Sequence, residues 1–238
     1  MSNTKKMDII YEDKELLVIN KPTKVLTIAT DKEKFRTLYH EAREYIKKQN
    51  PKNKIFIVHR LDKDTSGIVI FAKNEKLKKY LQDNWNEIAI KREYIAIVNG
   101  FVSKDKETIK LSLSEDKTHK VYVNNKNGNL AITHYETIAK TKPYSLLKVT
   151  IKTGRKNQIR ASLSELNHPI IGDKKYGSLK NPIGRLGLHA SILKIIIKNK
   201  EYTFKAKVPK EFKSIFEREV LEYEKKINDW YGWCYYRW

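Results

Sequence analysis

Residues 57–74 read I-V-H-R-L-D-K-D-T-S-G-I-V-I-F-A-K-N and decide how the whole chain is interpreted. Two apolar runs, at 55–58 and 68–72, predict two short strands. The loop between them holds two carboxylates, two cations, an imidazole and two hydroxyls. Binding and catalytic side chains concentrate in loops that a rigid sheet holds in place. We therefore expect the functional site at this loop.

The loop offers two carboxylates, Asp62 and Asp64, and their spacing does not choose between them. A turn with side-chain caps accounts for residues 64–67. It accounts poorly for residues 59–62, which precede the turn. Because a carboxylate is costly to bury without a cation, a buried Asp62 is expected to be a paired one.

A second polar segment, T-G-R-K-N-Q-I-R at 153–160, opens a short amphipathic helix. Arg155 and Arg160 fall in its first turns, where a positive charge is slightly unfavourable. A phosphate or a carboxylate is therefore expected close to this helix. The alternative is that both are surface arginines of a basic protein.

The remaining patterns predict strands with interspersed helices and no internal repeat or flexible linker. Helices are expected at 37–48, after a cap at Asn74, and from about residue 211. Strands are expected at 9–11, 15–20, 92–98, 107–113, 119–123, 130–139, 144–152, 188–198 and 201–207. These elements indicate an α+β fold with a mixed, mainly antiparallel sheet core and flanking helices. We divide it into a main domain, 1–209, and a C-terminal helix with an aromatic tail, 210–238.

The charge of the chain points to a polyanionic partner. Lys and Arg number 49 against 28 acidic residues, a formal net charge of +21. Such a field attracts nucleic acid, with an anionic membrane surface as the main alternative. It also disfavours self-association, so a monomer is expected.

The cysteine and histidine content excludes other classes. One cysteine, Cys234, allows no internal disulfide. The six histidines are scattered, with no pair at helical ligand spacing, so no metal site is predicted. No signal peptide or membrane-spanning run is present in the sequence, which predicts a cytoplasmic protein that does not enter the membrane.

The last ten residues, D-W-Y-G-W-C-Y-Y-R-W at 229–238, are unusually aromatic. Such a tail can stack on unpaired bases. It can also fold back over an apolar patch, and the large area that aromatic side chains bury favours this second interpretation.

Five segments together resemble the RluA-like family of RNA pseudouridine synthases. They occur in that family's order and cover roughly residues 8–209. The central one is 57–74, quoted above; the others are I-I-Y-E-D-K-E-L-L-V-I-N-K-P at 9–22, K-R-E-Y-I-A-I-V at 91–98, T-G-R-K-N-Q-I-R with H-P-I-I-G-D-K-K-Y-G at 153–177, and L-G-L-H-A at 186–190.

The resemblance implies a pseudouridine synthase fold with a central cleft for structured RNA, base flipping of the target uridine, and no cofactor. By position, Asp62 matches the family's catalytic aspartate, Tyr94 its active-site tyrosine, and Arg160 the arginine that pairs with the aspartate. The candidates for contacting the substrate are His59, Arg60, Arg155 and Leu188. His59 and His189 are also expected to support the structure.

Two departures from the family pattern leave alternatives open. Asn157 stands where the family usually has histidine, and an amide that donates a hydrogen bond is expected there. No S4-type RNA-binding module is expected before the entry hairpin. A non-catalytic RNA-binding or RNA-folding protein is therefore the second hypothesis, and a glycosidic hydrolase using Asp62 and Asp64 is a weaker third. Ribosomal and transfer RNA are both open as substrates.

Overall fold

The computed structural model describes residues 7–31 and 33–231. Within this part of the chain the strands are β1 (Ile9–Glu12), β2 (Leu16–Lys21), β3 (Phe56–Ile57), β4 (Ser66–Ala72), β5 (Lys91–Asn99), β6 (Lys106–Glu115), β7 (Val121–Val123), β8 (Asn129–Lys140), β9 (Tyr144–Ile151), β10 (Leu188–Ile197) and β11 (Lys200–Lys205). The helices are α1 (Leu38–Gln49), α2 (Glu75–Asp83), α3 (Trp85–Ile88), α4 (Gln158–Glu165) and α5 (Lys210–Tyr231), with a 3-10 turn at Lys174–Tyr176.

All the strands belong to one sheet with the order β1-β2-β4-β10-β5-β9-β8-β6-β7; β3 also pairs with β4, and β11 with β10. The neighbours are antiparallel except for β10 and β4, which run parallel with His189 opposite Ser66 and Ala190 opposite Gly67. The predicted α+β fold on a mixed, mainly antiparallel sheet is confirmed. The parallel pair lies at the middle of the sheet and brings the start of β4 beside the start of β10.

The helix expected at 37–48 begins one residue later than predicted, and the helix expected after a cap at Asn74 begins where predicted. Thr37 caps α1 by accepting a hydrogen bond from the His40 amide, and Asn74 caps α2 in the same way. Trp85, which the spacing placed on α2, instead starts the separate helix α3. It packs against the same core cluster as the buried face of α2.

Strand β5 separates two cores, as its alternation predicts. Ala96 and Val98 are buried with α4, and Tyr94 packs at the edge of that cluster. Ile95 and Ile97 are buried on the opposite face with α5. The period of two therefore places Tyr94 on the face of the sheet that α4 covers.

The C-terminal helix α5 is more apolar towards the sheet than the predicted polar helix. Phe212, Phe216, Val220 and Tyr223 are buried against the sheet, at helical spacing. The helix is kinked at Phe216, where φ is −135° and ψ is 61°. The division of the chain at residue 209 stays a prediction, and it runs between elements that share this core.

The prediction for the aromatic segment 229–238 falls on residues of which the structure describes only the helical backbone to Tyr231. Its packing or stacking lies outside the described residues.

Candidate active site

The loop that carries Asp62 is held from below by the segment after β2. The Lys21 side chain is fully buried and donates hydrogen bonds to the carbonyls of Val25 (2.7 Å) and Lys63 (3.0 Å). The hydroxyl of Thr27 bonds to both backbone groups of Leu61, which precedes Asp62. These contacts fix the backbone on both sides of Asp62, whose side chain keeps 26% of its surface exposed.

Residues 64–67 are not the side-chain-capped turn that the sequence suggests. The turn is closed by a backbone hydrogen bond from Thr65 to the carbonyl of Asp62 (3.2 Å), and Ser66 and Gly67 already belong to β4. Gly67 has φ of +116°, and a Cβ atom there would lie 2.2 Å from the Ala190 carbonyl oxygen. The glycine therefore permits the close approach of β10 that the parallel pairing requires.

His189 lies in a buried polar cluster beneath the loop. Its Nδ1 is 2.8 Å from the Ser66 hydroxyl, to which Arg185 also donates a hydrogen bond. Burial, with a smaller effect from the charge of Arg185, lowers the pKa of His189 to about 3. A neutral, enclosed imidazole agrees with the structural role expected for this residue.

Arg160 lies between two carboxylates. Its Nη1 is 3.6 Å from Asp62 Oδ2, whereas Nε and Nη2 donate to the two carboxylate oxygens of Asp173 at 2.7 and 2.8 Å. Asp173 is almost completely buried, and the Tyr176 ring packs against the guanidinium at 5.0 Å. The acidic group expected near this helix is thus present twice, with Asp173 the closer partner.

Asn157 immediately precedes α4 in the left-handed conformation, with φ of 50° and ψ of 22°. Asparagine is one of the few residues that adopt it readily. Its Oδ1 accepts a hydrogen bond from Arg160 Nη1 at 2.9 Å. The amide expected to donate therefore also accepts, and it helps to aim the guanidinium.

Gln158, the first residue of α4, anchors the loop that leads into the helix. Its Oε1 accepts from the Thr153 hydroxyl (2.8 Å) and the Arg155 amide (3.0 Å). Its Nε2 donates to the Ile132 carbonyl and the Thr133 hydroxyl, both at 3.0 Å. All of its polar capacity is used, so the loop is fixed to β8.

Two adjoining cavities open on this face of the sheet. The smaller, of about 100 Å³, is lined by six of the seven predicted site residues and several neighbours: Arg60, Asp62, Tyr94, Arg155, Arg160 and Leu188, with Asn157 and Gln158. The larger, of about 300 Å³, shares Arg60, Tyr94 and Arg155 with it and adds His59, Trp85 and Arg92. The structure brings together residues from the first loop, β5, α4 and β10, which lie far apart in the sequence.

The environment of the smaller cavity perturbs two of its acids. Burial raises the pKa of Asp62 above its ordinary value, and Arg160, Arg60 and Lys21 oppose that rise. Burial also raises the pKa of Tyr94 to about 12, so its phenol stays protonated at neutral pH. Burial alone would lower the pKa of Arg160, but the hydrogen bonds and charge of Asp173 outweigh it and raise that pKa.

His59 lies in the wall of the larger cavity only. Its ring stacks on Trp85 with centroids 4.6 Å apart and planes at 20°, and its Nε2 accepts from the Ile70 amide at 3.1 Å. Burial, followed by the charge of Arg92, lowers the pKa of His59 to about 3. The ring is therefore neutral and fixed; a direct contact with substrate stays a prediction.

Within residues 7–31 and 33–231, no three His, Cys, Asp or Glu side chains come together as a metal site would require. The helices of this same part of the chain include none with the length and apolarity needed to cross a bilayer.

The sequence from residue 15 to residue 165 matches the family described as RNA pseudouridylate synthase. The chain belongs to this family. It is 34% identical to the tRNA pseudouridine synthase C of Haemophilus ducreyi over 79% of this chain and 84% of that protein. It is 36% identical to the ribosomal large subunit pseudouridine synthase D of Borreliella burgdorferi, over 86% of this chain and 66% of that protein.

A solved structure, human RNA pseudouridylate synthase domain containing 1, has the same fold. It superposes with a TM-score of 0.70 at 23% identity, covering 88% of this chain and 86% of the human one. Other curated relatives are longer, and the chain spans 60% to 63% of three of them.

For this RNA pseudouridylate synthase, sequence reasoning missed two residues of the site. Asp173 follows an apolar segment and a glycine, and a carboxylate in such a place is a signal for a buried ion pair. Gln158 gave no signal beyond its place beside Arg160, because two of its four partners, Ile132 and Thr133, come from a strand far away in the sequence.

Proposed function

We propose that this chain isomerises specific uridines of a structured RNA to pseudouridine, with Asp62 as the catalytic carboxylate. The observation that carries the proposal is the smaller cavity, where a partly exposed Asp62 faces Arg160 and the Tyr94 side chain in a member of the pseudouridine synthase family. A protein that only binds RNA has no need of this trio in one pocket.

The reaction needs no cofactor because it is a rearrangement within one nucleotide. The bond between N1 and the ribose breaks, the uracil turns, and a bond forms between C5 and the same ribose carbon. One proton leaves C5 and one is gained at N1, so the composition does not change. A carboxylate such as Asp62 can attack the ribose or stabilise the separated sugar during this exchange.

The neighbours of Asp62 fit supporting roles. Arg160 is held by Asp173, so its guanidinium is fixed before substrate enters and opposes the burial that raises the pKa of Asp62. Tyr94 offers a protonated phenol and a ring on which uracil can stack. Arg60 and Arg155 are exposed at the rim, and Leu188 forms an apolar wall.

The uridine has to leave its helix to reach a cavity of this size, so base flipping is part of the proposal. The names of the relatives point to ribosomal or transfer RNA as the substrate class. The charge of +21 supports tight contact with RNA phosphates and, in the same proposal, a monomer that works in the cytoplasm.

The test is nucleotide-resolution mapping of pseudouridine in ribosomal and transfer RNA from cells that express the wild-type chain or Asp62→Asn. At least one position is expected to be modified by the wild type and to lose the modification completely with Asp62→Asn. Asp64→Asn is the matched control, since Asp64 lies two residues away and lines neither cavity.

The controls separate the three hypotheses. Asp64→Asn is expected to keep the modification. A site that remains modified with Asp62→Asn, or no site that depends on the chain, contradicts the proposal and favours the RNA-binding alternative. Release of free uracil from RNA would instead indicate a hydrolase.

A further inference from the structure

The larger cavity, of about 300 Å³, opens beside the pocket that contains Asp62 and shares Tyr94, Arg60 and Arg155 with it. A volume near 300 Å³ is at the lower end of small-ligand sites. Asp62 and Arg160 line the smaller cavity and not the larger one. The walls of the larger one therefore need a separate explanation.

Arg92 forms one wall and has no acidic partner. It is 94% buried, and no carboxylate of the described residues lies within ion-pair distance of it. Its Nη atoms donate to the Asn86 side chain and the Lys152 carbonyl, and its Nε has no hydrogen-bond partner in the described part of the chain. A buried, unpaired guanidinium is unfavourable by itself, and an incoming anion would relieve that cost.

Arg92 lines the cavity, and the space beside its guanidinium depends on a glycine. Gly154 lines the same cavity, and a Cβ atom at that position would come within 3.2 Å of Arg92 Nη1. Glu93, the one acidic residue among the described lining residues, is paired with Lys91 at 2.9 Å and accepts the Tyr223 hydroxyl at 2.6 Å. The net charge that the cavity presents is therefore positive.

The opposite wall is an aromatic surface with a fixed orientation. Trp85 is half-buried and stacks on His59, whose own ring is held by the Ile70 amide. The low pKa of His59, about 3, keeps that ring uncharged. An indole fixed in this way can stack on a base of any sequence.

We propose that this cavity is a second nucleotide subsite, which takes the RNA nucleotide next to the target uridine, with its base on Trp85 and its phosphate on Arg92. The inference rests on the proposed function, because the neighbouring cavity has to hold the uridine. It assigns the contact with the neighbouring nucleotide to β5 and α3.

The test measures binding of a fluorescein-labelled oligoribonucleotide, AAAUAAA, to the full-length Asp62→Asn protein, so that no turnover occurs. Two further probes have an abasic residue directly 5′ or directly 3′ to the uridine. Raised salt is used, because it weakens non-specific phosphate contacts. One of the abasic probes is expected to bind about 5- to 100-fold more weakly, the range for loss of one stacked base.

Variants connect that loss to the cavity. Trp85→Ala should weaken binding of the intact probe by the same factor, and this variant should bind the intact and abasic probes equally. Trp85→Phe should restore much of the difference between the two probes. Arg92→Gln should lower the slope of log K against log salt by about 0.7, the value for one phosphate on single-stranded RNA. Tyr122→Ala and Arg43→Gln, at exposed positions outside both cavities, are the matched controls.

The inference fails if neither abasic residue weakens binding, if Trp85→Ala still senses it, or if the controls behave like the cavity variants. Thermal melting shows which variants are folded. If Trp85→Ala does not fold, Trp85→Phe still provides the test. Pseudouridine that depends on Asp62 but not on Trp85 or Arg92 overturns this inference alone. Absence of any pseudouridine that depends on Asp62 overturns the proposed function instead.

Discussion

Replacing Asp173 by asparagine should lower the free energy of unfolding, although Asp173 is not the proposed catalytic residue. Its two carboxylate oxygens accept from Arg160 Nε and Nη2 at 2.7 and 2.8 Å, and its side chain is 1% exposed. Asp173→Asn removes the negative charge and turns one acceptor into a donor that faces the guanidinium. The buried cation then keeps the one remaining oxygen of residue 173, the longer contact to Asp62 at 3.6 Å, and the Asn157 amide.

The expected loss is about 3 kcal/mol. Breaking a buried ion pair from one side costs about 3–5 kcal/mol, and the lower end applies because asparagine keeps one acceptor and Asp62 remains nearby. For a chain of this length, 1 kcal/mol corresponds to about 2–4 °C. The midpoint of thermal unfolding should therefore fall by roughly 6–12 °C.

Asp62→Asn should abolish activity but, unlike Asp173→Asn, should leave the stability unchanged or increase it. Burial raises the pKa of Asp62, so the folded protein binds that proton more tightly than the unfolded chain does. Stability then falls as the pH rises from the ordinary carboxyl pKa through the raised one. Asparagine cannot ionise and therefore removes this loss.

The assay is urea and thermal unfolding of both variants and of Asp64→Asn, at neutral pH and matched salt. The free energy of unfolding of Asp62→Asn should lie within about 0.5 kcal/mol of the wild-type value, the usual range for surface substitutions, or above it. Equal destabilisation by Asp62→Asn and Asp173→Asn would refute the reasoning, because it would mean that Arg160 depends on both carboxylates alike. A stable Asp173→Asn would refute it as well.

Three further predictions test other parts of the structure. Gly67→Ala should abolish the yield of soluble, folded protein, because its Cβ would lie 2.2 Å from the Ala190 carbonyl oxygen. Gly177→Ala, where φ is 91° but no atom lies near the added Cβ, should still fold. Equal soluble yields of the two variants would contradict this prediction. Tyr223→Phe should lose about 1.5–3 kcal/mol in urea unfolding, since its hydroxyl donates to buried Glu93 at 2.6 Å, and Tyr122→Phe should lose nothing. The single-turnover rate should increase with pH as Asp62 ionises, at pH values above the ordinary carboxyl pKa. Arg60→Gln should shift this increase to higher pH, because the charge of Arg60 lowers the pKa of Asp62. Tyr94 has a pKa of about 12, so its ionisation should not reduce the rate at lower pH.

Local patterns predicted most elements of the fold because each depends on neighbouring residues. The alternation of β5 gave the two faces of the strand, and the cap Asn74 gave the start of α2. The parallel pairing of β4 with β10 was not predictable, because it joins Ser66 to His189 across 123 positions of the sequence. The local sign of this pairing is Gly67, where a larger residue would clash with the Ala190 carbonyl oxygen.

The candidate site shows the same division. Motif positions brought Asp62, Tyr94 and Arg160 to attention, and the structure places all three around one cavity. The actual hydrogen-bond partner of Arg160 was missed, because a sequence shows which groups are charged but not which pairs are in contact. Asp173 and Asp62 are equally acidic in the sequence and differ only in depth: one side chain is 1% exposed, the other 26%.

That difference in depth explains how one arginine can serve two carboxylates. Because Asp173 is closer and more deeply buried, it neutralises Arg160 and fixes its plane whether or not Asp62 is charged. Asp62 then receives a guanidinium at 3.6 Å that is too far for a strong hydrogen bond, so its oxygens are not consumed by the pair. A carboxylate that is supported by nearby charge but not held by it is free to meet a ribose, which is what a catalytic Asp62 requires.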